Sequence, residues 1–140
     1  MKMKCLAVLL VLAVLLSAVS AFGAVKDFKD FTVNVPKGWR TEKEGSRVTL
    51  TKGSMIMEIV FDSRGGKSLE AIAEEIAEHY GSEDLEDIED YYTFTYTEDG
   101  VESFGRVSSP KKGMYLLVLI TPHDHDDDVM FEIEETIKVK

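Results

Sequence analysis

Residues 91–120 read YYTFTYTEDGVESFGRVSSPKKGMYLLVLI, and this stretch decides the fold. Its first part alternates aromatic side chains with threonines, the pattern of a strand with one buried face. The turn residues Glu98-Asp99-Gly100 and Ser109–Gly113 divide the stretch into three segments of strand length. The last segment, Met114–Ile120, is apolar on both faces, so we expect it at the centre of an antiparallel sheet that is covered on both sides.

The segments around this meander supply the other predicted elements. Phe31–Val35, Ser46–Thr51 and Met55–Phe61 have the alternation or the apolar content of strands. Ser68–Tyr80 carries apolar residues at helical spacing and begins with a capping residue. A second helix, with a strand as the alternative, is predicted from apolar residues near the C-terminus: Val129, Met130, Ile133 and Ile137. The sequence thus predicts an α+β fold, with an antiparallel sheet of about six strands and helices packed on it.

Residues 1–24 have the three-part pattern of a secretory signal peptide. Two lysines precede an apolar run, roughly Cys5–Leu16, and small residues follow it. The run is too short to span a bilayer comfortably. We therefore expect an exported protein, periplasmic or extracellular, with one domain over residues 25–140 and no stable membrane anchor after cleavage. Cuts after Ser20, Ala21 or Gly23 also fit the pattern.

Charge and cysteine content limit the classes of partner. The chain has 26 acidic and 16 basic residues, and its net charge of −10 becomes −12 once Lys2 and Lys4 leave with residues 1–24. Such a surface repels phosphate backbones, so nucleic acid is not an expected partner. The one cysteine, Cys5, lies in the signal segment, so packing alone must hold the mature chain together. A chain of this length buries a sufficient core, and we expect a monomer.

The sequence HDHDDD at His123–Asp128 is the one conspicuous cluster of metal-ligand types. Imidazole and carboxylate groups bind Zn²⁺, Ni²⁺ or Cu²⁺, and the candidate ligands are His123, Asp124, His125 and Asp126. The alternative is a solvated acidic loop that leads into a helix. An EF-hand is disfavoured because Val129 stands where its sharp turn requires glycine.

Patterns of catalysis are scarce in this chain. Neither Gly-x-Ser-x-Gly nor His-Glu-x-x-His occurs, and the carboxylates are spread too evenly to single out an acid and a base. Gly65–Ser68 lies where a phosphate loop would, but Phe61 stands where that motif needs its first glycine. We therefore expect no enzyme and no cofactor. The aromatic stripe Tyr92-Phe94-Tyr96 is expected to pack under the first helix rather than to bind a ligand.

The order of these elements resembles PsbP/Mog1-like and DcrB-like domains. The stretch Phe31–Trp39, FTVNVPKGW, resembles their opening strand with Pro-x-Gly-Trp, and a helix opening at Lys67–Glu70 follows in the same order. The resemblance covers Phe28–Lys140. It implies an α/β/α sandwich and a non-enzymatic accessory or binding role, with a protein or cell-envelope component as partner. The alternative function is divalent-metal binding through the His123–Asp128 loop.

Overall fold

The computed structural model describes residues 23–122 and 127–140. Along these two ranges the chain forms ten strands and two helices. In order they are β1 Ala24–Asp27, β2 Phe31–Val35, β3 Arg40–Glu44, β4 Arg47–Lys52, β5 Met55–Ser63, α1 Leu69–His79, β6 Glu86–Asp87, β7 Tyr91–Glu98, β8 Val101–Ser108, β9 Met114–Thr121, α2 Asp127–Glu135 and β10 Lys138–Val139.

The strands form two antiparallel sheets. The larger sheet has seven strands in the order β3-β4-β5-β9-β8-β7-β6, and the smaller has the order β1-β2-β10. Strand β9 is the fourth of the seven, which confirms the central position predicted for Met114–Ile120. It pairs with β5 on one side, where Ile59 faces Val118, and with β8 on the other, where Phe104 faces Ile120.

Each face of the seven-stranded sheet carries its own buried core. Helix α1 covers one face, and the core there comprises Val60, Ile72, Ala73, Ala77, Phe94, Tyr96, Val107, Leu117 and Leu119. The small sheet and α2 cover the other face, and the core there comprises Phe31, Val33, Val35, Val48, Leu50, Met57, Ile59, Phe61, Val118, Ile120, Met130 and Ile133. A strand buried on both sides needs consecutive apolar residues, which explains the run Leu117–Ile120. The result is the predicted sandwich, in which one outer layer combines a helix with a small sheet.

Helix α1 forms where its sequence predicts it. The Ser68 hydroxyl accepts a hydrogen bond from the Ala71 N–H at 3.1 Å, and so caps the first turn. The helix is followed by Gly81 in the left-handed region, at φ +71°, and the Ser82 N–H donates to the Ala77 carbonyl at 2.8 Å. This is a Schellman ending, in which glycine accepts the backbone conformation at little steric cost. Ser68 therefore caps the helix, which is the role expected of it in a turn that leads into a helix.

The structure corrects the strand count and one strand assignment. The larger sheet has seven strands rather than about six, and Phe31–Val35 lies in the separate three-stranded sheet. The strands that the sequence did not reveal, β1, β3, β6 and β10, have two to five residues and are mostly exposed. Apolar alternation is therefore missing from them. The predicted C-terminal helix forms but ends at Glu135, so Ile137 lies in the link to β10.

Candidate binding groove

A cavity of about 200 Å³ opens beside α2 on the face of the large sheet opposite α1. We call it the α2 groove. Its buried end is formed by Val118 and Ile120, and its exposed end by Asp84 and Glu86. Between them lie Thr93, Thr95, Phe104, Arg106, Phe131 and Glu134. The groove therefore passes from an apolar interior to an acidic rim.

The register of three strands places these side chains together. Residues paired across antiparallel strands point to the same face, so each set of partners makes a row across the sheet. The two rows in the groove are Thr95-Phe104-Ile120 and Thr93-Arg106-Val118. Helix α2, which follows β9 in the chain, then adds Phe131 and Glu134 from above.

Two phenylalanine rings form the apolar wall of the groove. The ring centroids of Phe104 and Phe131 are 6.1 Å apart, at an interplanar angle of 59°. Phe131 is 38% exposed, although Met130 and Ile133 on the same helix are buried in the core. Because Phe131 turns away from the core into the groove, its ring surface is accessible to a ligand.

An ion pair forms the polar wall. Arg106 Nη1 lies 2.7 Å from Glu134 Oε1, and the Arg106 guanidinium carbon lies 4.6 Å from the centre of the Tyr91 ring. The Glu134 side chain is only 9% exposed, against 42% for Arg106. Burial raises the pKa of Glu134; Arg106 opposes this shift and Glu135 adds to it. The guanidinium is thus fixed between a carboxylate and an aromatic ring, and it is not free to meet an anion.

The raised pKa of Glu134 predicts how stability depends on pH. The folded state retains the Glu134 proton to a higher pH than the unfolded chain does, so this carboxyl's contribution is present at low pH and falls as the pH rises through its folded pKa. We expect the free energy of unfolding of wild type to fall relative to Glu134→Gln as the pH rises above about 4.5. Urea unfolding between pH 4 and pH 7 measures this difference. The exposed Glu132→Gln variant on the same helix is the control. If the difference in unfolding free energy from wild type changes equally with pH in both variants, the raised pKa of Glu134 is contradicted.

Asp84 closes part of the free edge of β7. The Thr95 N–H donates to Asp84 Oδ1 at 2.8 Å, and the Thr95 hydroxyl donates to Asp84 Oδ2. These hydrogen bonds, with a smaller contribution from the Ser82 hydroxyl, hold the pKa of the Asp84 carboxyl below its ordinary range. Strand β6 covers β7 only at Thr93 and Tyr92, so at Thr95 the carboxylate takes the place of a neighbouring strand. Edge protection of this kind opposes the addition of another strand.

Two residues of the predicted aromatic stripe lie in the core, and the third, Tyr92, is half-buried against the same core. Phe94 and Tyr96 are buried beneath α1, and the Tyr80 ring on that side is 4.8 Å from the Tyr96 ring. Burial raises the pKa of Tyr96 to about 12. Trp39 packs half-buried against the opposite core. These aromatic residues therefore stabilise the fold, as the sequence predicts, and the accessible aromatic pair is a different one.

The predicted metal ligands have no structural counterpart in the described residues. His123, Asp124, His125 and Asp126 lie outside residues 23–122 and 127–140. Within those two ranges no group of three or more His, Cys, Asp or Glu side chains is placed to hold a metal ion. The metal-binding alternative therefore gains no support from the structure.

The fold is similar to that of solved proteins. The solution structure of cyanobacterial PsbP (CyanoP) from Synechocystis sp. PCC 6803 superposes with a TM-score of 0.52 and 16% identity, over 82% of this chain and 90% of that one. This likeness confirms a PsbP-like fold. A crystal structure from Bacteroides thetaiotaomicron VPI-5482 matches with a TM-score of 0.47 and 15% identity, over 79% of this chain and 45% of that one, so this chain spans less than half of its length. Comparison with family models and with curated proteins finds no match.

Proposed function

We propose that this chain is an exported, non-enzymatic accessory domain that binds a partner through the α2 groove. The observation that carries the proposal is the groove, where an exposed phenylalanine lies beside a fixed ion pair on the α2 face of the large sheet. Binding sites are typically concave and mostly apolar, with a few polar groups that fix orientation. A PsbP-like fold is consistent with an accessory or binding role.

The chemistry of the groove favours binding over catalysis. The described residues that line it include no histidine, cysteine or lysine. Arg106 is held by Glu134, and the Thr95 hydroxyl is held by Asp84. The hydrogen bonds that lower the pKa of Asp84 also make it a weak base. A nucleophile with an activating base is thus missing among these side chains.

The proposed site is tested with a photo-crosslinking amino acid placed at Phe131. We expect a discrete crosslinked product in cells of the source organism, and we expect Phe104→Ala to abolish it, because that substitution removes the facing ring. The same crosslinker at Val25, which is 69% exposed on β1 and outside the groove, is the matched control. Equal products from both positions, or a product that survives Phe104→Ala, would refute binding through the groove.

Export is the second part of the proposal, and it rests on the N-terminal sequence pattern. Among the residues that the structure describes, neither helix is long and apolar enough to cross a membrane. Strand β1 starts at Ala24, which pairs with Val35. A cut after Gly23 leaves this strand whole, whereas a cut after Ala24 removes one of its four pairs. This pairing supports a mature chain that starts at Ala24, and we propose this start in place of Val25.

Export is tested by fractionating cells that express the full chain. We expect the protein outside the cytoplasm, with Ala24 as its first residue in N-terminal sequencing. The variant Leu10→Arg interrupts the apolar run and should remain inside with residues 1–23 attached. Wild-type protein that keeps these residues and stays cytoplasmic would refute export, and a first residue of Val25 would refute the proposed cleavage position.

A further inference from the structure

We infer that the occupant of the α2 groove is an extended basic segment of a partner protein, whose lysine or arginine side chain lies along Phe104 and Phe131. This inference rests on the proposed binding role and adds the chemistry of the partner. It combines three features of the groove: its charge, its apolar wall and its size.

The groove is lined by more acidic than basic side chains. Its lining carries three carboxylates, Asp84, Glu86 and Glu134, and one guanidinium, Arg106. Because Arg106 is paired with Glu134, the carboxylates at the exposed end remain available to an incoming cation. The hydroxyl and N–H groups that donate to Asp84 are uncharged, so they leave its negative charge in place.

The apolar wall suits the stem of a basic side chain. Lysine and arginine bury their methylene groups along apolar surface while the charged end stays hydrated. Phe131 and Phe104 offer ring faces along which such a stem fits, and a cation near a ring is further stabilised by the ring quadrupole. The stem thus lies against the rings while the charged end reaches the acidic rim at Asp84 and Glu86.

The size of the groove favours one inserted side chain. Its volume of about 200 Å³ is below the range of about 300–1,000 Å³ that is typical of sites for drug-sized ligands. Asp84 closes the β7 edge at Thr95, so a partner strand is directed to the face of the sheet rather than to its edge. The chain's net charge of −10 also accelerates the approach of a basic segment.

The inference is tested with capped pentapeptides, acetyl-Ser-Leu-Xaa-Leu-Ser-amide, where Xaa is lysine, arginine, norleucine or glutamate. Norleucine keeps the stem and removes the charge. Amide chemical shifts in the ¹⁵N-labelled protein report where each peptide binds and with what affinity. We expect the lysine and arginine peptides to shift Thr93, Thr95 and Phe104, and to bind about two- to fivefold more tightly than the norleucine peptide. The glutamate peptide should bind most weakly, and added salt should reduce the preference.

Two charge variants separate the effect of the groove carboxylates from the effect of the protein's net charge. Asp84→Asn/Glu86→Gln should remove the preference for lysine over norleucine, while Glu70→Gln/Glu74→Gln, an equal change on the exposed side of α1, should keep it. Glu86→Gln alone gives a second measurement that leaves the Asp84 hydrogen bonds intact. Phe131→Ala should weaken both the lysine and the norleucine peptides, because both place a stem against this ring.

The outcomes distinguish the inference from the proposed function. If the norleucine peptide binds in the groove as tightly as the lysine peptide, the basic partner is refuted and the groove remains a binding site. If both double variants lose the preference equally, general charge explains it and the inference is refuted. If no peptide shifts the groove amides, both the inference and the proposed site are refuted.

Discussion

Replacing Gly105 by alanine is expected to lower the free energy of unfolding by about 2 kcal/mol, within the usual cost of overpacking a core. A Cβ at this position would lie 2.2 Å from Phe94 Cζ and 2.5 Å from Phe94 Cε1. Phe94 is 2% exposed, and the Tyr80 and Tyr96 rings lie 6.3 Å and 5.8 Å from it, so its ring has little room to move. Urea denaturation followed by circular dichroism measures the change.

A double variant tests the proposed cause. Phe94→Leu alone should destabilise the protein, because it removes ring contacts in the α1 core. Combined with Gly105→Ala it should cost less than the sum of the two single changes, since the shorter side chain leaves space for the new methyl group. Additive costs would show that Gly105 matters for a reason other than the Phe94 ring.

Replacing Ile133 by alanine is expected to lower the free energy of unfolding by about 3 kcal/mol, as for other large-to-small core substitutions. Ile133 is 2% exposed and belongs to the core that α2 shares with the small sheet, which includes Phe31 and Val33. Truncation leaves a cavity at the contact that holds α2 on the sheet. The measurement is again urea unfolding at neutral pH.

The matched control for Ile133 is Phe131→Ala, two residues earlier on the same helix. Its ring is 38% exposed, so its removal should cost less than about 1 kcal/mol. The reverse order of the two costs would contradict the assignment of Phe131 to the groove and Ile133 to the core. The expected order also makes Phe131→Ala a suitable binding variant, because it leaves the fold intact.

Apolar residues at helical spacing, or in strand alternation, reveal the elements that have one buried face. The aromatic-threonine pattern of β7 and the helical spacing of α1 are examples, and the structure confirms both. The continuous apolar run of β9 indicates its central position for the same reason. Strand β3, with the sequence Arg40–Glu44, has no such pattern because it is held by backbone pairing to β4 at the sheet edge. Exposed strands therefore have no burial pattern in the sequence from which they could be predicted.

The groove was not predicted from the sequence, because it depends on tertiary packing. Phe104 and Arg106 belong to β8, whereas Phe131 and Glu134 lie 27 and 28 residues later, on α2. Alternation places the first two on one face of β8, and helical spacing places the second two beside the buried stripe of α2. Nothing in the sequence shows that these two surfaces meet, since the meeting depends on where α2 crosses the sheet.

The small sheet determines when folding can be completed. Strand β10 pairs with β2 at Lys138↔Thr32 and Val139↔Phe31, and the Asn34 N–H donates to the Thr136 hydroxyl at 2.9 Å. More than 100 residues separate these partners, so their contact requires closure of a very long loop, and we expect it to form late in folding. One outer layer therefore stays incomplete until residues 138–139 have been synthesised and have paired with β2. In the proposed export route, this delay would keep the chain threadable through a translocation channel and would confine its final folding step to the far side of the membrane.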